Sequence, residues 1–481
     1  MTTWIRCAIG LFAVLLFSRG AAREVPQDRI TILQSEVRQR IDGFGLNFTG
    51  GWFDDDQKQM FHTFIDDLGV TKFRVVPYIV ASDWEQVNDN DDPEVMNWDY
   101  YNKIYSGPRF ESSWRAIRYL NSRGIRPTIA LMGPVPKWML ADKISPPQHK
   151  VCQPAVQMAP LSPAMYPEFA ETVVSMLKYA RDHEHLEFDT FSPFNETDCY
   201  PPEGPRIDPD QAPAVLLAVA RRLQREGMGD VKLSVAEQAV ITTDYTTPIL
   251  ENAELMKSVG AFAYHTYGEN SVGPQVQRVL SSPYANLPVW LTEYGDLSDQ
   301  DQSAANDWKS FSLAGNRRAL TALNQGANAI FYFDAFDDYE ECAARNTYYG
   351  LYRTAEHRYT PRKRYYATRQ LYHFVRPGSH RVELAGEIKG LTVSAFLSPS
   401  SDSVTIVGVK EGGPNRIKIE FPKDAPTPKT LNLYITTPSI DSAKQPSVPV
   451  QNGVAVVDLP DETIFTLVGA TREHSYHAAE R

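Results

Sequence analysis

Two glutamates in this sequence each follow directly on a short apolar run: Glu196 in "SPFNETD" (Ser192 to Asp198) and Glu293 in "WLTEYG" (Trp290 to Gly295). Two carboxyl groups facing each other across a cleft can divide the work of breaking a glycosidic acetal. One, held protonated, protonates the leaving oxygen; the other attacks the carbon left behind or activates a water to do so. Burial and mutual repulsion set their pKa values apart. The first stretch carries a competing meaning, because Asn195-Glu196-Thr197 is also an acceptor triplet for N-linked glycan. A glycan on Asn195 would close any site built around Glu196, and Asn47-Phe48-Thr49 poses the same conflict. Taken singly, each glutamate reads equally well as a solvated or salt-bridged loop residue. The pair, each behind an apolar run, favours chemistry.

The elements that must position them recur with a period. Eight strand-like runs begin at "RIDGFGLNF", "KFRVVPYI", "RPTIALMG", "FDTFSPF", "VKLSVAE", "GAFAYHTYG", "PVWLTEYG" and "NAIFYFDAF", most of them followed by a helix-like segment. Eight strand–helix units in residues 41–375 predict a parallel sheet closed into a (β/α)8 TIM barrel. A doubly wound open sheet is the alternative, but "GFGLNF" lacks the third glycine of a dinucleotide loop and opens no helix. From residue 376 to 470 the texture changes to short β-rich runs split by Gly, Pro, Ser and Asn, which predicts an antiparallel β-sandwich side domain. The strand-like "DRITILQSEVRQRI" precedes the barrel, and residues 23–40 are expected to join that side domain. Residues 471–481 are left as a tail.

In such a barrel, reactive residues sit at the C-terminal ends of strands and on the loops that follow. Those positions hold Arg74 (strand two), Trp138 (after strand three), Asn195 and Glu196 (strand four), His265 and Tyr267 (strand six), Glu293 (strand seven) and Asp334 (strand eight). Each has a plainer reading: Arg74 bridging a core carboxylate, His265 a satisfied core histidine, Trp138 packing under its loop.

The remaining features bound the partners. Residues 1–22 place Arg6 before the apolar run Ala8 to Phe17 and small residues at Gly20 to Ala22, the pattern of a secretory signal peptide. That predicts a secreted or periplasmic protein with no integral membrane segment. Removing it takes two arginines and no acid, leaving a formal charge of −13 against −11 for the whole chain. Such a balance disfavours nucleic acid and anionic membrane surfaces. Three cysteines remain, Cys152, Cys199 and Cys342. A Cys152–Cys199 bridge and unpaired cysteines are both open, and the spacing makes no zinc pattern. The acidic "NDNDDPE" (Asn88 to Glu94) lacks the glycine and distant glutamate of an EF-hand loop, so a solvated loop is expected, with no metal and no cofactor.

The motifs together resemble a family. "IDGFGLNFTG", "MGPVPKWM", "SPFNE", "WLTEYG" and "YTPRKRYYATRQLYHFVRPGSHRV" are similar to segments of glycoside hydrolase family 30, retaining glycosidases whose acid/base and nucleophile follow strands four and seven. The resemblance covers nearly the whole chain after residue 22. It implies Glu196 as general acid/base and Glu293 as nucleophile, with Asn195 on a sugar hydroxyl. It further implies that Arg74 orients the nucleophile and that His265 and Tyr267 line the site. The chain departs from the family at strand eight, where "FYFDAF" stands in place of a common Trp. The implied protein is a β-glycoside hydrolase acting on a polysaccharide or oligosaccharide. The alternative is an inactive carbohydrate-binding protein on the same scaffold, or a metal-dependent lyase or hydrolase.

Overall fold

The computed structural model describes residues 28–77, 85–145, 159–200, 203–337, 339–340, 345–355 and 357–471. The signal-like segment, Cys152, Cys342 and almost all of the tail lie outside them. Strand β1 (Arg29–Arg40) comes first, followed by β2 (Gly43–Thr49), β3 (Lys72–Val76), β4 (Thr128–Ala130), β5 (Thr190–Ser192), β6 (Lys232–Gln238), β7 (Val259–Thr266), β8 (Val289–Tyr294) and β9 (Ala329–Tyr332). Strands β2 to β9 pair in sequence order, all parallel, and β9 closes on β2: the eight-stranded barrel predicted from the sequence.

The barrel strands are short and buried on both faces, so they read as continuous apolar runs rather than alternating ones. Large and small side chains interlock inside. Trp290 and Phe331 fill the barrel against Ala261 and Ala329, and a Cβ on Gly45 would lie 2.2 Å from the Phe331 ring. Gly45 and Phe331 are register partners across β2 and β9, so only glycine leaves room for that ring. Outside, several crossover helices start with proline in the first turn, where its missing N–H costs nothing: Pro108–Ser122, Tyr166–Asp182, Ala212–Arg225 and Gly273–Leu280.

The side domain is one row of ten strands, with β1 in the middle between Arg416–Glu420 and His380–Ala385. The row returns on itself where Thr430–Thr437 pairs with Thr463–Ala470, enclosing a core that includes Ile30, Ile32, Ile406 and Phe465. The predicted entry of the N-terminal strand is observed. The sheet is mixed rather than wholly antiparallel, because β1 runs parallel to Arg416–Glu420. Hairpins force antiparallel neighbours, whereas a strand delivered from the other end of the chain is free of that constraint.

Helix Lys363–Tyr372 joins the two bodies. Gln370 Nε2 donates to Thr436 Oγ1 of the side domain at 2.9 Å, while the Tyr372 hydroxyl donates to the Gly45 carbonyl of the barrel at 3.2 Å. Among the described residues, no helix is long and apolar enough to cross a membrane.

Candidate active site

Parallel register sets the first layer of the site. Asn47 on β2 is level with Arg74 on β3, and His265 on β7 is level with Glu293 on β8. Arg74 is wholly buried and spends its guanidinium on this ring. Nη1 donates to Glu293 Oε1 at 2.6 Å and to Asn47 Oδ1 at 3.1 Å, and Nη2 donates to Asn195 Oδ1 at 2.8 Å. Glu293 is gripped from its other oxygen as well, since the Tyr267 hydroxyl donates to Oε2 at 2.5 Å. Two donors on separate oxygens fix the plane of the carboxylate.

Glu196 is held differently. Its backbone has a left-handed φ of 39°, an uncommon conformation for a side chain-bearing residue, and its N–H donates to the Glu237 carbonyl at 2.7 Å. Its carboxyl oxygen lies 2.7 Å from His265 Nδ1. Gly204 presses against this turn: a Cβ there would fall 1.8 Å from the Asn195 carbonyl. Neighbouring Asp198 anchors the loop by accepting the N–H groups of Ala239 and Val240, both at 2.9 Å. One oxygen of Glu196 and one of Glu293 lie within 4.8 Å of each other and of a His265 nitrogen.

The sequence reading missed Glu237. It is the last residue but one of β6, 1% exposed, and accepts from Thr292 Oγ1 at 2.6 Å and Ser234 Oγ at 2.8 Å. It also lies 2.9 Å from His265 Nε2 and 3.6 Å from Arg74 Nη2. A register break between Ala236 and Gln238, with left-handed φ at Ala236 (78°) and Glu237 (43°), turns this side chain toward the site. The signal available in the sequence was its position as a third strand-end glutamate. Asn47 was visible only as a glycan acceptor.

The charges are ordered. Burial raises the pKa of Glu196, an effect that His265 opposes and that Glu293 and Asp198 reinforce. Burial would also raise Glu237, but Arg74, His265 and Thr292 outweigh it and hold its carboxyl at about 2. Burial opposes charge on His265, yet Glu293, Glu196 and Glu237 bring its pKa up to about 10. The ring therefore carries a cation at neutral pH, and both its nitrogens donate. Burial and the carboxylates of Glu293 and Glu196 keep the Tyr267 phenol protonated.

The structure thus brings together Arg74, Asn195, Glu196, His265, Tyr267 and Glu293. Trp138 is placed by another contact: half-buried on the loop after β4, it donates its indole N–H to the Glu85 carbonyl at 2.9 Å. Asp334, buried just beyond β9, accepts the Leu351 N–H on its main-chain carbonyl at 3.0 Å. Phe333, just beyond β9, is half-buried, with its ring 6.3 Å from Tyr267 and 5.5 Å from Tyr349. Cys199 is disulfide-bonded, to a cysteine outside the described residues.

No protein-family model matches the sequence. Solved structures do match its fold. A family 30 endoxylanase from Clostridium papyrosolvens C71 superposes with a TM-score of 0.68 at 20% identity, over 92% of this chain and 100% of that one. The fold is that of the family 30 glycoside hydrolases. A family 30 subfamily 8 xylanase from Clostridium acetobutylicum gives 0.68 at 18% identity, over 92% and 99% of the two chains. An endo-β1,6-glucanase gives 0.65 at 16% identity, over 93% and 94%. Within this family 30 fold, the Asn195–Glu196 loop follows the fourth barrel strand and Glu293 lies on the seventh.

Both acceptor asparagines are interior, Asn47 and Asn195 each being 1% exposed. The Asn47 amide donates to the carbonyls of Thr292 and Tyr332 at 2.9 and 3.2 Å, and that of Asn195 to the Glu203 carbonyl at 3.4 Å. Glycan attachment would break these bonds inside the barrel. Intact-mass measurement of active protein made in a glycosylating host is expected to show neither site carrying sugar.

Proposed function

We propose that the chain is a secreted retaining β-glycoside hydrolase that cleaves a polysaccharide or oligosaccharide by double displacement. The observation that carries this reading is the facing pair Glu196 and Glu293, with oxygens within 4.8 Å and unequal surroundings. Retaining enzymes need carboxyl groups about 5–5.5 Å apart, inverting ones about 6.5–9.5 Å. In the first step Glu293 attacks the anomeric carbon while Glu196 gives its proton to the departing oxygen. In the second, Glu196 takes a proton from water, whose oxygen displaces Glu293 from the glycosyl-enzyme.

The surroundings support that division of labour. Glu293 is held and aimed by the donors Arg74 and Tyr267. Burial shifts the Glu196 carboxyl upward, the direction that suits a proton donor. His265 sits between the two and Glu237, with Nδ1 against Glu196 and Nε2 against Glu237. Asn195, oriented by Arg74, is assigned to a sugar hydroxyl. Trp138 and Phe333 are half-buried aromatic rings that could take sugar rings. The matched structures include xylanases and an endo-β1,6-glucanase, which makes β-linked polysaccharides the first substrates to try.

The test is hydrolysis across a panel of β-linked glycans by the wild type, Glu196→Ala and Glu293→Ala. The wild type is expected to release sugar from at least one. Glu196→Ala should lose about 10²–10⁴-fold in kcat on natural linkages and far less on aryl glycosides whose leaving group needs no proton. If all three proteins bind glycan and none hydrolyses it, the scaffold is a binding protein.

A further inference from the structure

The acidic loop after β3 is not the freely solvated loop its composition suggests. Asn97 N–H and Asn90 Nδ2 donate to Asp89 Oδ2 at 2.9 and 3.0 Å, which folds the loop over itself and leaves Asp89 Oδ1 without a partner. The loop packs on helix Tyr166–Asp182, where Glu168 and Glu171 occupy successive turns of one face. Asp89, Glu168 and Glu171 each place a carboxylate oxygen within 4.8 Å of the others. Glu168 is 7% exposed and Glu171 is wholly buried, yet neither oxygen of Glu171 nor Oε2 of Glu168 has a hydrogen-bond partner. Beside them, Glu85 Oε1 and Asn88 Oδ1 are also unpartnered.

Leaving a buried carboxylate unpaired is costly, and several together compound the cost. Burial and the charges of Asp89, Glu85 and Glu168 push the Glu171 carboxyl up to about 9, against the pull of Arg222. Arg222 is the near cation, and it is engaged elsewhere, with the Pro93 carbonyl and with Glu226 at 3.0 Å. Burial likewise raises Glu85 to about 7, although Thr172 and Tyr101 donate to its other oxygen.

Among the described residues, two other groups of potential ligands differ in kind. Glu196, His265 and Glu293 are already partnered, Glu293 by Arg74 and Glu196 by His265. Asp54, Asp56 and His357 are exposed, and Asp56 is occupied by His357 and Tyr359.

We propose that Asp89, Glu168 and Glu171, supplemented by Asn88 and Glu85, form a calcium-binding site that clamps the loop after β3 to helix Tyr166–Asp182. The donor set is all oxygen, mixes carboxylate with amide, and is drawn from two elements, which suits the six to eight flexible ligands of Ca²⁺ better than the strict octahedron of Mg²⁺. The glutamates that an EF-hand supplies from its own loop come here from a helix some eighty residues away. The clamp would also fix Glu85, whose carbonyl holds the Trp138 indole.

The test uses the full chain after removal of residual metal with EDTA and dialysis. Calorimetric titration with CaCl₂ is expected to show one saturable site per chain, and excess Ca²⁺ to raise Tm by about 5 °C. Asp89→Asn, on the loop, and Glu171→Gln, in the helix, should both fold without calcium and both lose the heat and the Tm shift. A wild type with neither heat nor shift overturns the site, as does binding that survives both substitutions. Saturable binding of MgCl₂ in the absence of CaCl₂ binding overturns the calcium assignment.

Discussion

Glu293→Ala is expected to lower kcat by about 10⁵-fold, the scale seen when a covalent nucleophile is removed, while early product of the wild type appears as the β anomer. The argument runs through Arg74 and Tyr267. Both donate to Glu293; a guanidinium is no nucleophile and the Tyr267 phenol is kept protonated, so neither readily takes the place of the lost carboxylate. Glu293→Gln serves as the folding control, since its amide oxygen can still accept from Arg74. Azide added to the alanine variant should enter the vacated space and yield an α-glycosyl azide, formed as the C–N bond replaces the glycosidic C–O bond and Glu196 protonates the leaving oxygen. NMR of the anomeric proton in the first minutes of wild-type turnover decides the stereochemistry. Early α product would end the double-displacement reading and leave Glu293 as a base.

Much of this was legible in the sequence because a parallel barrel encodes itself simply. Its strands are buried on both faces, so each appears as a compact apolar run, and polar residues just beyond the run mark the reactive end. That logic found Glu196, Glu293, His265 and Arg74. It did not single out Glu237, which ends the apolar run "VKLSVAE" but whose orientation depends on a register break and two left-handed residues that interrupt the two-residue alternation of β6. It could not join Asp89 to Glu168 and Glu171 either. On the helix those two look like ordinary polar positions, and only packing shows that they face the loop. The parallel pairing of β1 was hidden for a similar reason, as strand patterning carries no direction when partners are separated by most of the chain.

Glu237→Gln is expected to destabilise the protein by about 3–5 kcal/mol, the scale for removing one partner of a buried ion pair, and to change the shape of its pH–stability profile. Glu237 sits between His265 and Arg74 and is the acceptor for Thr292 and Ser234. With the carboxylate gone, Arg74 keeps Glu293 as its carboxylate partner and His265 keeps Glu196 and Glu293. The signs follow from the shifts. Glu237 at about 2 lies below its unfolded value near 4.5, so its contribution is present above pH 4.5 and is lost as pH falls toward 2. His265 at about 10 lies above its unfolded value near 6.5, so its contribution is complete below pH 6.5 and is lost as pH rises toward 10. In Glu237→Gln the acid-side loss due to this residue should vanish. The alkaline decline should begin at lower pH, because the imidazolium has lost one of its three carboxylates. Denaturant unfolding at a series of pH values reads both limbs. An unchanged alkaline limb would mean that Glu237 does not hold the charge on His265, and the coupling of this third glutamate to the catalytic pair would have to be abandoned.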